Sequence, residues 1–95
     1  MQIELDEIRK AVLILINHVE LKHGPTVDVD KDYYWHVQSA ELYDPYSKPT
    51  DLTIGQISEN ATEIRQIISG ERAPLSYGLV WIAAILRAVG DTVDD

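Results

Sequence analysis

Cysteine is absent from this chain. That excludes a disulfide framework, a thiolate nucleophile and any thiolate metal site. With no disulfides to form, a cytoplasmic location is the simplest expectation. Glycine is scarce, five residues in 95, and none sits in a phosphate-cradling loop or a Gly-x-Ser-x-Gly turn. Positive charge is short as well: eight lysines and arginines face sixteen aspartates and glutamates, a net charge of −8. Nucleic acid and anionic membrane are polyanions that select basic surfaces, so neither is an expected ligand. Long apolar runs are also missing. The longest, Ala11–Ile16 and Leu79–Leu86, fall far short of the roughly 20 residues that span a bilayer. The opening MQIELDEIRK is acidic and amphipathic, unlike the basic start and apolar centre of a signal peptide.

What is present suits one small domain, residues 1–95. Hydrophobic content of 45 % is that of a folded chain,. A chain this short buries only about 60–68 % of its unfolded surface. Either a compact helical core or a partner must therefore supply stability.

Periodicity predicts a mainly α fold: three long helices at about 4–23, 54–69 and 75–89, with an irregular aromatic and acidic connection, 25–52, packed across them. In the first helix Leu5, Ile8, Val12, Leu15, Ile16 and Val19 share one face at the 3.6-residue period,. Asp6 and Glu7 in the first turn and Lys22 and His23 in the last complement the helix dipole. Gly24-Pro25 is the stop. A second stripe, Ile3, Ile14 and Leu21, lies about 150° away by the helical period and implies contact on two sides.

Thr53-Ile-Gly-Gln56 has the form of a capping box and predicts a helix from 54 to Gly70. The alternative start is Ser58 as cap, with 52–57 extended. Pro74 suits the first position of the third helix, which Gly90 ends, leaving 91–95 as a frayed acidic tail. That helix is apolar nearly all round, so it is expected to be central. Its Tyr77 and Trp81 face, together with Ile3, Ile14 and Leu21, forms the candidate self-association surface, with a homodimer as the expected product.

Between the helices, residues 28–51 hold five of the seven aromatic residues and six of the sixteen acidic ones. Val27 and Val29 alternate with aspartates in the manner of a short strand. Asp32–Leu42 reads equally as an amphipathic helix capped by Asp32. Asp28-x-Asp30-x-Asp32 opens like an EF-hand loop, but Tyr33 replaces the glycine at position six and Ser39 the glutamate at position twelve. His18 and His23 lie about 140° apart on a helix and cannot chelate one ion. No catalytic residues, metal ligands or cofactor are expected.

Tyr33-Tyr34-Trp35 is the sharpest feature. One reading buries Trp35 beside Trp81 as core. Three consecutive aromatics cannot all face inward, however, so at least one tyrosine points outward among carboxylates. Tyrosine there suits a lysine- or arginine-rich surface. The candidate partner-binding set is Asp30, Asp32, Tyr33, Tyr34, His36 and Tyr43.

Asp32-Tyr33-Tyr34-Trp35, Leu52-Thr-Ile-Gly-Gln56 and Leu79-Val-Trp-Ile-Ala-Ala-Ile-Leu-Arg-Ala-Val-Gly90 resemble patches in a group of small acidic bacterial proteins that usually carry no assigned function. That resemblance spans residues 32–90 and implies a bacterial origin. The tyrosine pair with its acidic neighbours is also similar, by analogy of binding style, to the Asp-x-x-Tyr-Tyr-Pro patch of immunity proteins that neutralise nuclease toxins. Trp35 stands where that patch has proline, and the flanking helices differ. The expectation is a non-catalytic acidic protein-binding module, most directly an immunity protein or antitoxin masking a basic toxin. The alternative is a structural or regulatory homo-oligomer joined through apolar helix faces.

Overall fold

A computed structural model describes residues 1–94. The chain is mainly α. Three long helices, α1 (Leu5–His23), α3 (Ile57–Ser69) and α4 (Gly78–Thr92), are joined by a two-stranded antiparallel sheet and a short helix, α2 (Ser39–Leu42). The strands are β1 (Tyr33–Val37) and β2 (Leu52–Gln56).

Local chemistry accounts for the ends of α1 and α3. Gly24 (φ 84°) and Gly70 (φ 83°) take positive φ at the two C-termini, a region where a Cβ is penalised. The Gly24 N–H returns to the Glu20 carbonyl and that of Gly70 to the Ile67 carbonyl. In the first turn of α1, Asp6 pairs with Arg9 at 3.0 Å and Lys10 at 2.9 Å. Such spacing places oppositely charged side chains one turn apart.

Three boundaries differ from the periodic reading. Residues 52–56 are strand, not the first turn of a helix, so the capping-box residues Thr53 and Gln56 serve a ladder and α3 starts at Ile57. Helix α4 starts at Gly78, after a turn in which the Gly78 and Leu79 N–H groups bond the Leu75 and Ser76 carbonyls. It also runs through Gly90 to Thr92. A glycine inside a helix costs only about 1 kcal/mol. The next turn is held by Arg87–Asp91 (3.3 Å) and by the Thr92 hydroxyl donating to the Ala88 carbonyl (2.7 Å). Asp91 and Thr92 are thus helical rather than frayed, and Asp95 lies outside the described residues.

The connection is not irregular throughout. Neither Val27–Val29 nor 32–42 forms the expected element: residues 33–37 form a strand and only 39–42 a helix. The register pairs Tyr33 with Gln56, Tyr34 with Gly55, Trp35 with Ile54, His36 with Thr53 and Val37 with Leu52.

Packing is open. Helices α3 and α4 pack on each other, yet no apolar side chain among the described residues is fully buried. The radius of gyration is 15.0 Å, against about 12 Å for a compact chain of this length. Accessible surface is 8060 Å² for 10.7 kDa, where a compact monomer would show roughly 5,500 Å². The expected closed core around α4 does not form within one chain.

Candidate functional site

The strand pair carries Tyr33, Tyr34 and Trp35, with the acidic residues of the 28–51 segment flanking or connecting its strands, and its two faces differ in kind. Side chains alternate along a strand, and directly paired residues share a face. Tyr34, His36, Gly55 and Thr53 therefore lie on one face; Tyr33, Trp35, Val37, Leu52, Ile54 and Gln56 lie on the other.

The first face is structural. The Tyr34 ring lies across Gly55, whose missing side chain leaves the space it fills. Its hydroxyl accepts the Asn60 side-chain amide at 2.8 Å, and Asn60 is buried on α3. Glycine in a strand gives no side chain to pack, and an aromatic laid across it from the neighbouring strand restores that contact.

Asp32, just before β1, joins the sheet to α3. Its carboxylate accepts the Ser58 backbone N–H at 2.7 Å, the Ser58 hydroxyl at 2.9 Å and the Gln56 side-chain amide at 2.8 Å. Its carbonyl accepts the Ile57 N–H at 2.7 Å. The first N–H groups of a helix have no partner within it, and here a residue from another part of the chain supplies one. The hydrogen bond from Gln56, then that from the Ser58 N–H, holds the Asp32 carboxyl below its ordinary value of 3.8. Glu41 does the same for the 38–51 connection. Its carboxylate accepts the Thr50 and Asp51 N–H groups and the Thr50 hydroxyl. The N–H of Thr50, then that of Asp51, pulls its carboxyl below 4.5.

The second face is open over most of its area, with only Val37 and Gln56, at opposite corners, half-buried. Tyr33 is 70 % exposed, Trp35 69 % and Ile54 68 %. Trp35 does not join Trp81; the Trp81 ring stands edge-to-face with Tyr77, their centroids 5.8 Å apart, and carries the Arg72 guanidinium 4.9 Å from its centroid, and Arg72 also pairs with Glu63.

Of the residues singled out in the sequence, Tyr33, Asp30 and Tyr43 are exposed, His36 is half-buried, and Asp32 and Tyr34 are committed to hydrogen bonds within the chain. Ile54 and the outward position of Trp35 escaped sequence reading. The signal was the 52–57 extended alternative: once it pairs with 33–37, period-two alternation aligns Tyr33, Trp35 and Ile54. Ile3, Ile14 and Leu21 on α1 are all exposed, Tyr77 is exposed and Trp81 is half-buried.

Among the described residues no group of three or more histidine, aspartate or glutamate side chains could hold a metal ion, and no helix is long and apolar enough to cross a membrane. No family model, curated protein or solved structure matches the chain.

Proposed function

We propose that this chain is a non-catalytic protein-binding module whose outer sheet face, Tyr33, Trp35 and Ile54, seats a basic partner protein in the manner of an immunity protein or antitoxin masking a toxin. One observation carries the reading: three large side chains on one face of a small sheet, each about 70 % exposed, in a chain of net charge −8. Tryptophan and tyrosine are the residues most enriched in binding hot spots. A contiguous exposed apolar patch is where protein partners bind. Asp30, Asp28 and Asp51 are exposed near the ends of the two strands. Such rim charges speed encounter with a basic surface.

The experiment is affinity capture from the cell of origin with native protein and Trp35→Ala side by side. A basic protein held by the native chain, released by salt and lost with Trp35→Ala is the expected result. Capture of no basic protein, or equal capture by both, overturns the reading. The alternative, a structural or regulatory homo-oligomer, rests on a different surface: the uncovered faces of α1 and α4.

A further inference from the structure

Helix α1 is the longest element of the chain, and little packs against it. Its main apolar stripe was expected to pack inward, yet Leu5 is 72 % and Leu15 61 % exposed, and along it only Val12, Ile16 and Val19 are more than half-covered. Val12, Leu15, Ile16 and Val19 form one wall of an open groove of about 360 Å³, and Leu86 and Val89 of α4 form the other. A hydrogen bond between the His23 ring and the Asp94 carbonyl, at 3.1 Å, ties the C-terminal end of α1 to the end of the chain. An amphipathic helix draws most of its stability from burying its apolar face. This face is unburied.

The amount of surface left over indicates what kind of cover is missing. Beyond a compact monomer the chain exposes about 2,500 Å². Each partner in a standard interface contributes about 800 Å², and obligate assemblies bury roughly 2,000–5,000 Å² in total. That surplus is summed over the whole chain, the face of Tyr33, Trp35 and Ile54 included, and about a third of it from each of two copies suffices for a standard interface.

Charge then selects the occupant. Within α1 three acidic residues (Asp6, Glu7, Glu20) meet three basic ones (Arg9, Lys10, Lys22), so the helix is neutral and the whole surplus of eight negative charges lies outside it. A basic partner is drawn to the rest of the chain, not to α1. A second copy, itself at −8, is repelled by every surface except a neutral one. We propose that a second copy of this chain covers α1. The two α1 helices pack antiparallel along Leu5, Ile8, Val12, Leu15, Ile16 and Val19 and close the groove against α4. Antiparallel pairing is the two-fold arrangement that sets the acidic first turn of one helix beside the basic last turn of the other; parallel pairing sets like ends together. The hairpin face takes no part, so the assembly displays two copies of it. This inference is independent of the partner proposed for that face.

The absence of native cysteine makes the test direct. Light scattering of the native protein at tens of micromolar should give twice 10.7 kDa, and its Tm should rise with protein concentration, as for any folded state that gains stability by association. Under mild oxidant Val12→Cys, at the middle of the helix, should cross-link to its own copy. Leu5→Cys should not, because its counterpart lies about 21 Å away along the antiparallel pair, beyond the roughly 7 Å reach of a disulfide. Trp35→Ala should remain a dimer. A monomeric mass with a concentration-independent Tm overturns the proposal. So does a dimer that Trp35→Ala dissociates, and cross-linking at Leu5→Cys equal to that at Val12→Cys refutes the antiparallel pairing.

Discussion

The carboxylate of Asp32 caps a helix that begins far along the chain: it accepts the Ser58 backbone N–H at 2.7 Å across a separation of 26 residues. The same side chain holds the Ser58 hydroxyl and the Gln56 amide. One aspartate thereby fixes where β2 ends, where α3 starts and how β1 sits against both. Helix α3 has no side-chain cap from its own N-cap residue, Gln56, so nothing local replaces it.

Asp32→Ala should lower the Tm by several degrees, as loss of a helix cap does. Asp32→Asn should recover part of that loss, since its carbonyl oxygen still accepts one N–H. Ser58→Ala should be milder than Asp32→Ala, because it removes the hydroxyl donor and keeps the N–H. Thermal melts of the three variants check the order. Equal stability of Asp32→Ala and native protein would show that the cap is dispensable.

Acid should loosen the hairpin in a defined window. Asp32 and Glu41 are both held below their ordinary values of 3.8 and 4.5 by hydrogen bonds to their charged forms. A carboxyl with depressed folded pKa contributes stability that is full above its unfolded value and is lost as pH falls through its folded value. Stability should therefore hold down to about pH 4.5 as far as these two groups are concerned and fall below pH 4. Denaturant unfolding from pH 6 to pH 2.5 measures it, and Asp32→Asn should flatten part of the slope. An unchanged slope in that variant would remove Asp32 as a cause.

Gly55 cannot accept a side chain while Tyr34 stays in place. A Cβ there would clash with Cζ, Cε2 and Oη of Tyr34. Gly55→Ala should cost about 1–3 kcal/mol, the usual range for overpacking. In a Tyr34→Ala background the same substitution should cost much less. A double-mutant cycle on denaturant unfolding gives the coupling, and additive effects would mean that the ring moves aside freely.

Trp35 should matter for association and little for folding. Removing a residue 69 % exposed typically shifts stability within about 0.5 kcal/mol. A hot-spot tryptophan removed from an interface costs about 2 kcal/mol or more of binding. Melts and affinity toward a captured basic protein separate the two quantities. If the rim charges steer that encounter, the association rate should fall as salt rises while dissociation changes little. A large stability loss in Trp35→Ala with unaltered binding would return this residue to a packing role.

The sequence by itself determined those parts of the protein that depend on neighbours a few residues away. The mainly α character, the ends of α1 and α3 at Gly24 and Gly70, and the charge pattern within α1 follow from the 3.6-residue period, from glycine's access to positive φ and from side chains one turn apart. Tertiary structure decided the rest, because the deciding contacts cross long stretches of chain. Thr53–Gln56 satisfies a capping box locally, but pairing with residues 33–37, the Tyr34 ring over Gly55 and the Asp32 cap make it a strand. Gly90 resembles a stop, yet a modest propensity cost is outweighed by the bonds of the turn that follows it. The outward face of Tyr33, Trp35 and Ile54 exists only once the register is set, since a shift of one residue would exchange the two faces. Burial was the least local property of all. Periodicity shows which side of α1 is apolar, but whether anything covers that side depends on where the other elements fall, and within one chain they leave it open.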